Sequence, residues 1–196
     1  DYMQKVMGYT LTGSTREQCF WYFHGNGKNG KTTFLEIIRY LMGDYSKNCQ
    51  FNTFLHSSLN NIREDLARLV GARFVTATES DIEVRLSEAI VKSVTGSEPL
   101  TARFLHENSV EFLPKFKLFM ASNHHIRIRG TDDGIWRRIR LIPFEVQIPE
   151  SQQKMDLHKI LINEEASGIL NWAIEGCLKW QRTGLKPPQY IQDAIN

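Results

Sequence analysis

The sequence predicts an α/β protein whose central sheet is mostly parallel and flanked by helices, and three observations predict it. A glycine-rich loop, Gly25 to Gly30, stands between an aromatic run and an apolar-periodic run. Strand-like and helix-like segments then alternate as far as Phe144. Beyond Pro149 the pattern turns helical.

Taken in order, Cys19 to Phe23 is a short aromatic run that predicts a buried strand. From Lys31 to Met42, Phe34, Ile37, Ile38 and Leu41 recur at i, i+3, i+4 and i+7, one apolar helix face, and Gly43 is its stop signal. Leu59, Ile62, Leu66 and Leu69 mark a second helix ended by Gly71. Arg73 to Thr78 is rich in strand formers, and Ser87 to Val94 reads as a helix ending at Gly96. Leu100 to Phe112 predicts a hairpin turning near Glu107-Asn108-Ser109. Phe116 to Ala121 and Ile139 to Phe144 are two further apolar strands. Ile160, Leu161, Ile169, Leu170, Ala173, Ile174, Cys177 and Leu178 follow helical spacing, closed by Gly184 and Pro187-Pro188. The expected division is a core over 1–150 and a small C-terminal helical portion over 151–196.

A chain of 196 residues suits one domain with a substantial core. No apolar run reaches the roughly 20 residues of a membrane helix. The start, Asp1-Tyr2-Met3-Gln4-Lys5, has neither a signal-peptide core nor an initiator methionine, so a domain of a longer chain is expected. Cys19, Cys49 and Cys177 are far apart and odd in number. They argue against a disulfide framework or a cysteine zinc site and fit a reducing cytoplasm. The net charge of +2 predicts no partner, but from Leu113 to Arg140 seven Lys/Arg face two Asp. That local basic excess suits a nucleic acid or triphosphate contact, or simply a solvated loop with strand ends.

The strongest signal is Gly25-Asn26-Gly27-Lys28-Asn29-Gly30-Lys31-Thr32, which fits G-x-x-x-x-G-K-[ST] at every fixed position. Glycines let backbone amides approach phosphate oxygens, and the loop feeds a helix N-terminus whose free N–H groups and dipole favour anions. Lys31 would reach the β- and γ-phosphates of ATP, and the Thr32 hydroxyl would ligate Mg²⁺. A triphosphatase also needs an acidic group at the end of a nearby strand, which Glu79 supplies, with Asp81 two residues on. Asn123 ends an apolar strand, where its amide could bond the γ-phosphate or the attacking water; Asn also ends strands simply as a turn former. Arg137 and Arg138 begin another strand, and a guanidinium there could stabilise a neighbouring subunit's nucleotide or be plain surface. His124-His125 lack a third ligand at metal-site spacing. Trp172 and Trp180 read as packing residues.

In order, these pieces resemble the superfamily 3 helicases of the AAA+ class, nearest to the phage- and plasmid-type primase-helicases that include the poxvirus group. The residues carrying the resemblance are Gly25 to Thr33, Glu79, Lys92-Ser93-Val94-Thr95-Gly96, Thr101-Ala102-Arg103, Phe119 to Asn123, Gly134 to Arg138, Ile142-Pro143-Phe144 and Gly168 to Gly176. The resemblance implies a P-loop NTPase of AAA+ type, with Walker A at Gly25 to Thr32, Walker B at Glu79, sensor 1 at Asn123 and an arginine finger at Arg137 or Arg138. It implies a hairpin gripping single-stranded DNA, with Arg103, His106 and Lys115 as candidates for phosphate contact. It further implies ATP and Mg²⁺ as cofactors, a ring that is most simply a hexamer, a primase module upstream in the full chain, and host cytoplasm if phage- or plasmid-encoded. Thr78 precedes Glu79 where the family commonly carries a second acid, which leaves the split between metal ligand and water-activating base open. Two other readings are an ATP-switched origin binder or loader and a P-loop small-molecule kinase.

Overall fold

The computed structural model describes residues 1–56, 62–78, 84–104, 107–127 and 133–193. In chain order its elements are α1 (Tyr2–Thr10), β1 (Phe20–His24), α2 (Lys31–Met42), β2 (Ser46–Asn48), α3 (Ile62–Ala67), β3 (Phe74–Thr78), β4 (Val84–Arg85), α4 (Glu88–Thr95) and β5 (Leu100–Arg103). There follow β6 (Ser109–Phe112), β7 (Lys117–Ser122), β8 (Ile126–Arg127), α5 (Asp133–Trp136), β9 (Ile139–Pro143), α6 (Leu157–Thr183) and α7 (Gln189–Asp193).

The main sheet has five parallel strands in the order β2-β3-β7-β1-β9. Both of its faces are covered, which is why its inner strands are apolar throughout rather than alternating. On one face Phe20, Tyr22, Val75, Leu118 and Met120 pack with α3, α4 and β5. On the other, Trp21, Phe23, Phe74 and Phe119 pack with α1, α2 and α6. Trp21 stacks on Phe119 with ring centroids 4.7 Å apart, at the middle of that layer. The hairpin β5–β6 pairs Leu100 with Phe112 and Arg103 with Ser109, and β4 and β8 form a small separate ladder.

Two features differ from the sequence reading. First, Tyr2–Thr10 is a helix, and most of its residues are buried because α6 covers the side turned away from the sheet. The two helices cross at glycines: a Cβ on Gly8 would lie 1.9 Å from the Cys177 nitrogen, and one on Gly176 would lie 1.9 Å from the Gln4 oxygen. Second, the basic segment is not one surface patch. Lys117 is 1% exposed, with its ammonium on the Thr12 carbonyl and 4.7 Å from the centre of the Tyr9 ring. Arg138 is likewise buried. Among the described residues no helix is long and apolar enough to cross a membrane.

Candidate nucleotide-binding site

Parallel pairing brings the ends of three neighbouring strands to one edge of the sheet. His24 lies opposite Ser122, and Ala121 lies opposite Thr78, so the chain leaves β1, β7 and β3 side by side. The next residues are Gly25, Asn123 and Glu79; Glu79 and Asp81 lie outside the described residues. Ligands of open α/β sheets bind beyond this carboxyl edge.

Glycine is required where the loop begins and where it enters α2. Gly25 has φ of 155°, and a Cβ there would sit 2.1 Å from the Phe144 carbonyl oxygen. Gly30, the residue before α2, is left-handed at φ of 87°, and a Cβ on it or on Gly27 would point into open space. The open side of the loop is a cleft of about 330 Å³ lined by Gly27 to Thr33, Thr78, Ala121, Ser122 and Asn123. Thr32 is exposed at its floor, beside the N–H groups at the start of α2 that precede the first helical bond, from Phe34 to the Gly30 carbonyl.

Lys31 is 7% exposed and fixes the cleft's polarity. Its ammonium donates to the Gly25 carbonyl, to Asn29 Oδ1 at 3.2 Å and to Asn123 Oδ1 at 3.2 Å. Lys31 and Asn123 are 92 residues apart in sequence and meet in this cleft. Burial pushes the Lys31 amine below its ordinary range. A cation held, among the described residues, by neutral acceptors in a partly desolvated cleft attracts an anion, since charge-assisted bonds to phosphate are stronger. Beside it the His24 and His125 rings lie 3.9 Å apart, and burial, then His125 and Lys31, hold His24 below its usual pKa.

One part of the site carried no sequence signal beyond Phe144. Residues 144–150 run along the loop's outer side as a strap. Phe144 N–H donates to the His24 carbonyl (2.7 Å), Asn29 Nδ2 to the Phe144 carbonyl (2.8 Å) and Ile148 N–H to the Lys28 carbonyl (2.9 Å). Lys28 Nζ pairs with Glu150 at 3.0 Å. The variable positions of the glycine loop thus brace it against the segment after β9.

The remaining candidates lie elsewhere. Arg137 and Arg138 form the turn just before β9, at the end of the sheet opposite the loop, because β9 runs parallel to β1 with Phe20 facing Ile139. Arg137 is exposed. Arg138 is 8% exposed and donates to Thr95 Oγ1 (3.2 Å) and to the Gly134 carbonyl (2.6 Å). Arg103 is exposed at the turn end of the hairpin, Lys115 is exposed beyond its root, and His106 lies outside the described residues. Trp180 packs against Tyr9 and donates to Glu17 (2.6 Å), whereas Trp172 is 38% exposed.

The fold is one found in helicase-type proteins. Two solved structures of the NrS-1 C-terminal region superpose on it. One has a TM-score of 0.69 at 17% identity, covering 98% of this chain and 46% of that one. The other has 0.68 at 14%, covering 100% and 47%. A JCV helicase superposes with a TM-score of 0.52 at 16% identity, covering 99% of this chain and 58% of that one. The chain belongs to the family described as "Family of unknown function (DUF5906)", which matches residues 23–138, more than half of the chain. A protein of Acanthamoeba polyphaga mimivirus named "Putative helicase" is 32% identical over 146 residues, 74% of this chain and 15% of that protein. Another "Putative helicase", from Frog virus 3, is 27% identical over 142 residues, 69% of this chain and 15% of that protein. A "Putative primase" of African swine fever virus is 29% identical over 119 residues, 59% of this chain and 12% of that protein. The chain therefore spans about 15% of the length of its first viral relatives.

Proposed function

We propose that this chain is the ATP-hydrolysing motor of a replicative DNA helicase, of the superfamily 3, AAA+ kind, working as a ring on single-stranded DNA. The observation that carries the reading is the meeting of Lys31 with Asn123 at the mouth of the glycine loop. It joins the phosphate-binding lysine and the sensing amide in one cleft. The core over 1–150 is the motor, and the helical segment over 151–196 is fixed to it through α6, which packs on α1 and α2.

Binding begins with Lys31 turning from Gly25, Asn29 and Asn123 to the β- and γ-phosphates. Amides of the loop and of the first α2 turn hold the same oxygens. The Thr32 hydroxyl is the metal ligand on this side, and Glu79 is the acidic group at the end of β3. When bound there, Mg²⁺ would supply charge neutralisation for the phosphates. Asn123, released from the ammonium, bonds the γ-phosphate or the attacking water, and Glu79 polarises that water. The water oxygen forms the new P–O bond as the bond to the leaving oxygen of ADP breaks, with no covalent enzyme intermediate. Arg137, exposed and far from its own loop, stabilises the transition state of the neighbouring subunit, which makes a hexameric ring the natural assembly. Arg138 holds Arg137's surroundings. Arg103 on the hairpin, with His106 and Lys115 of the same stretch of sequence, meets DNA phosphates, contacts without sequence preference. A primase module upstream in the full-length chain completes the assignment, and its setting is the host cytoplasm if the protein is phage- or plasmid-encoded.

ATP turnover measured with and without single-stranded DNA, together with displacement of an annealed strand, tests this. DNA-stimulated turnover with displacement is expected, and Lys31→Ala abolishes both. Turnover driven by a small acceptor, or site-specific duplex binding without displacement, would overturn it.

A further inference from the structure

We infer that Thr95 is a positioning residue that ties the root of the β5–β6 hairpin to the mount of Arg137, so that DNA on the hairpin sets how Arg137 is presented to the next subunit's nucleotide. The inference rests on the motor reading above and deepens it.

Thr95 is the last residue of α4 and is 5% exposed. Its hydroxyl donates to the Val91 carbonyl (2.6 Å) and accepts from Arg138 Nε (3.2 Å). The same guanidinium donates through Nη1 to the Gly134 carbonyl in α5 (2.6 Å). One hydroxyl is therefore bonded both within the helix that leads into the hairpin and to the residue directly after Arg137. A planar guanidinium bonded through two of its nitrogens transmits direction as well as distance.

Each end of this tie is joined to a larger element. Leu100 and Ala102 of β5 belong to the same core cluster as Val91 and Val94 of α4, and only residues 96–99 separate the two elements, so a shift of the hairpin root reaches the end of α4 along the chain. On the other side, the Arg137 N–H donates to the Asp133 carbonyl (3.1 Å), and the Arg137 carbonyl accepts from Arg140 Nη1 (2.7 Å). The Arg138 carbonyl accepts from Phe20 N–H (2.9 Å), which anchors it to β1. The tie itself borders open space. A cleft of about 400 Å³ lies beside it, lined by Lys92, Ser93, Gly96 and Arg138 among others. The end of α4 has room to move there, and Thr95 carries that movement to the finger.

The test compares wild type, Thr95→Val and Thr95→Ser for ATP turnover with and without an oligothymidine strand. The KM for ATP and the affinity for that strand are measured alongside. Valine keeps the volume and loses the acceptor; serine keeps the acceptor. In Thr95→Val the stimulation ratio is expected to fall about fivefold or more, the range of an ordinary coupling free energy. KM and strand affinity should stay within about twofold, and Thr95→Ser should retain the ratio. The inference is overturned if Thr95→Val keeps the wild-type ratio, if both variants lose it alike, or if basal and stimulated rates fall by the same factor. A wild type that hydrolyses ATP without any response to the strand would instead sink the motor reading, and the inference with it.

Discussion

If Arg137 acts in trans, Lys31→Ala and Arg137→Ala each spoil a different half of a shared site, and mixing them should restore activity. The register sets the geometry. β9 runs parallel to β1, with Phe20 opposite Ile139 and His24 opposite Pro143. At about 3.3 Å per residue the steps from Phe20 to His24 alone cover roughly 13 Å. Arg137 lies beyond one end of that span and Gly25 beyond the other, too far for an arginine to bridge within one subunit. A finger contributes a factor on the order of 10³–10⁵ in rate, so each variant alone should turn over at about a thousandth of wild type or less. In an equal mixture assembled at random, a site works where an Arg137→Ala subunit, with its lysine intact, meets a Lys31→Ala subunit, with its finger intact. That describes about a quarter of sites, and about a quarter of wild-type turnover is expected. A phosphate-release assay on unmixed and mixed samples, checked for assembly by light scattering, reads this directly. Mixed rings as inactive as the separate variants, or a nearly wild-type rate from Arg137→Ala alone, would refute the reasoning.

Three further outcomes follow from the packing and charges. Gly176→Ala forces a Cβ to 1.9 Å from the Gln4 oxygen, and overpacking of this kind costs about 1–3 kcal/mol, a drop of several degrees in Tm. Gly168→Ala on the same helix meets only the Glu165 carboxylate at 3.6 Å and should gain up to about 1 kcal/mol of helix propensity; equal effects of the two would contradict the close helix crossing. Stability should rise from pH 7 to 9 and level off above it. Burial, then Arg73, hold Lys117 down to about 7 from 10.5, so the unfolded chain binds more protons between those values and unfolding costs more as pH rises. Burial pushes Cys19 up from 9.0 to about 12, so above 9 the folded chain holds a thiol proton that the unfolded chain has lost, and this slope offsets that of Lys117 up to 10.5. A denaturation midpoint that declines from pH 7 to 9 would contradict this. Arg103→Ala should weaken binding to single-stranded DNA and reduce the salt slope by about 0.7, one phosphate contact, read by fluorescence anisotropy at several salt concentrations.

Much of the sheet was legible because its strands are apolar and the glycines between them are local signals. The helix expected over Lys31 to Met42 occupies those residues, since its apolar stripe and Gly43 both mark it. The hairpin expected between Leu100 and Phe112 pairs its two ends. α1 was not legible: it is covered by the sheet on one side and α6 on the other, so it has no broad polar face to set a period. β2 is Ser46-Lys47-Asn48, polar, and a strand only because it pairs with β3. The second apolar helix begins at Ile62 among the described residues; Leu59 lies outside them. In the site, the loop's chemistry is local and was readable, whereas the strap depends on bonds to Lys28 and Asn29 that no motif encodes. Arg137 and Arg138 form the turn between α5 and β9, where no strand or helix period says which of them turns inward. Only the packing against Thr95 and Gly134 identifies it as Arg138.

Titrating ATP into the protein in the presence of magnesium, followed by calorimetry, tests the central claim most directly. The account predicts saturable binding by the wild type and a loss of at least about a hundredfold in Lys31→Ala, the order of about 3 kcal/mol for a charge-assisted phosphate contact. No heat from the wild type, or equal affinity in the two proteins, would contradict it.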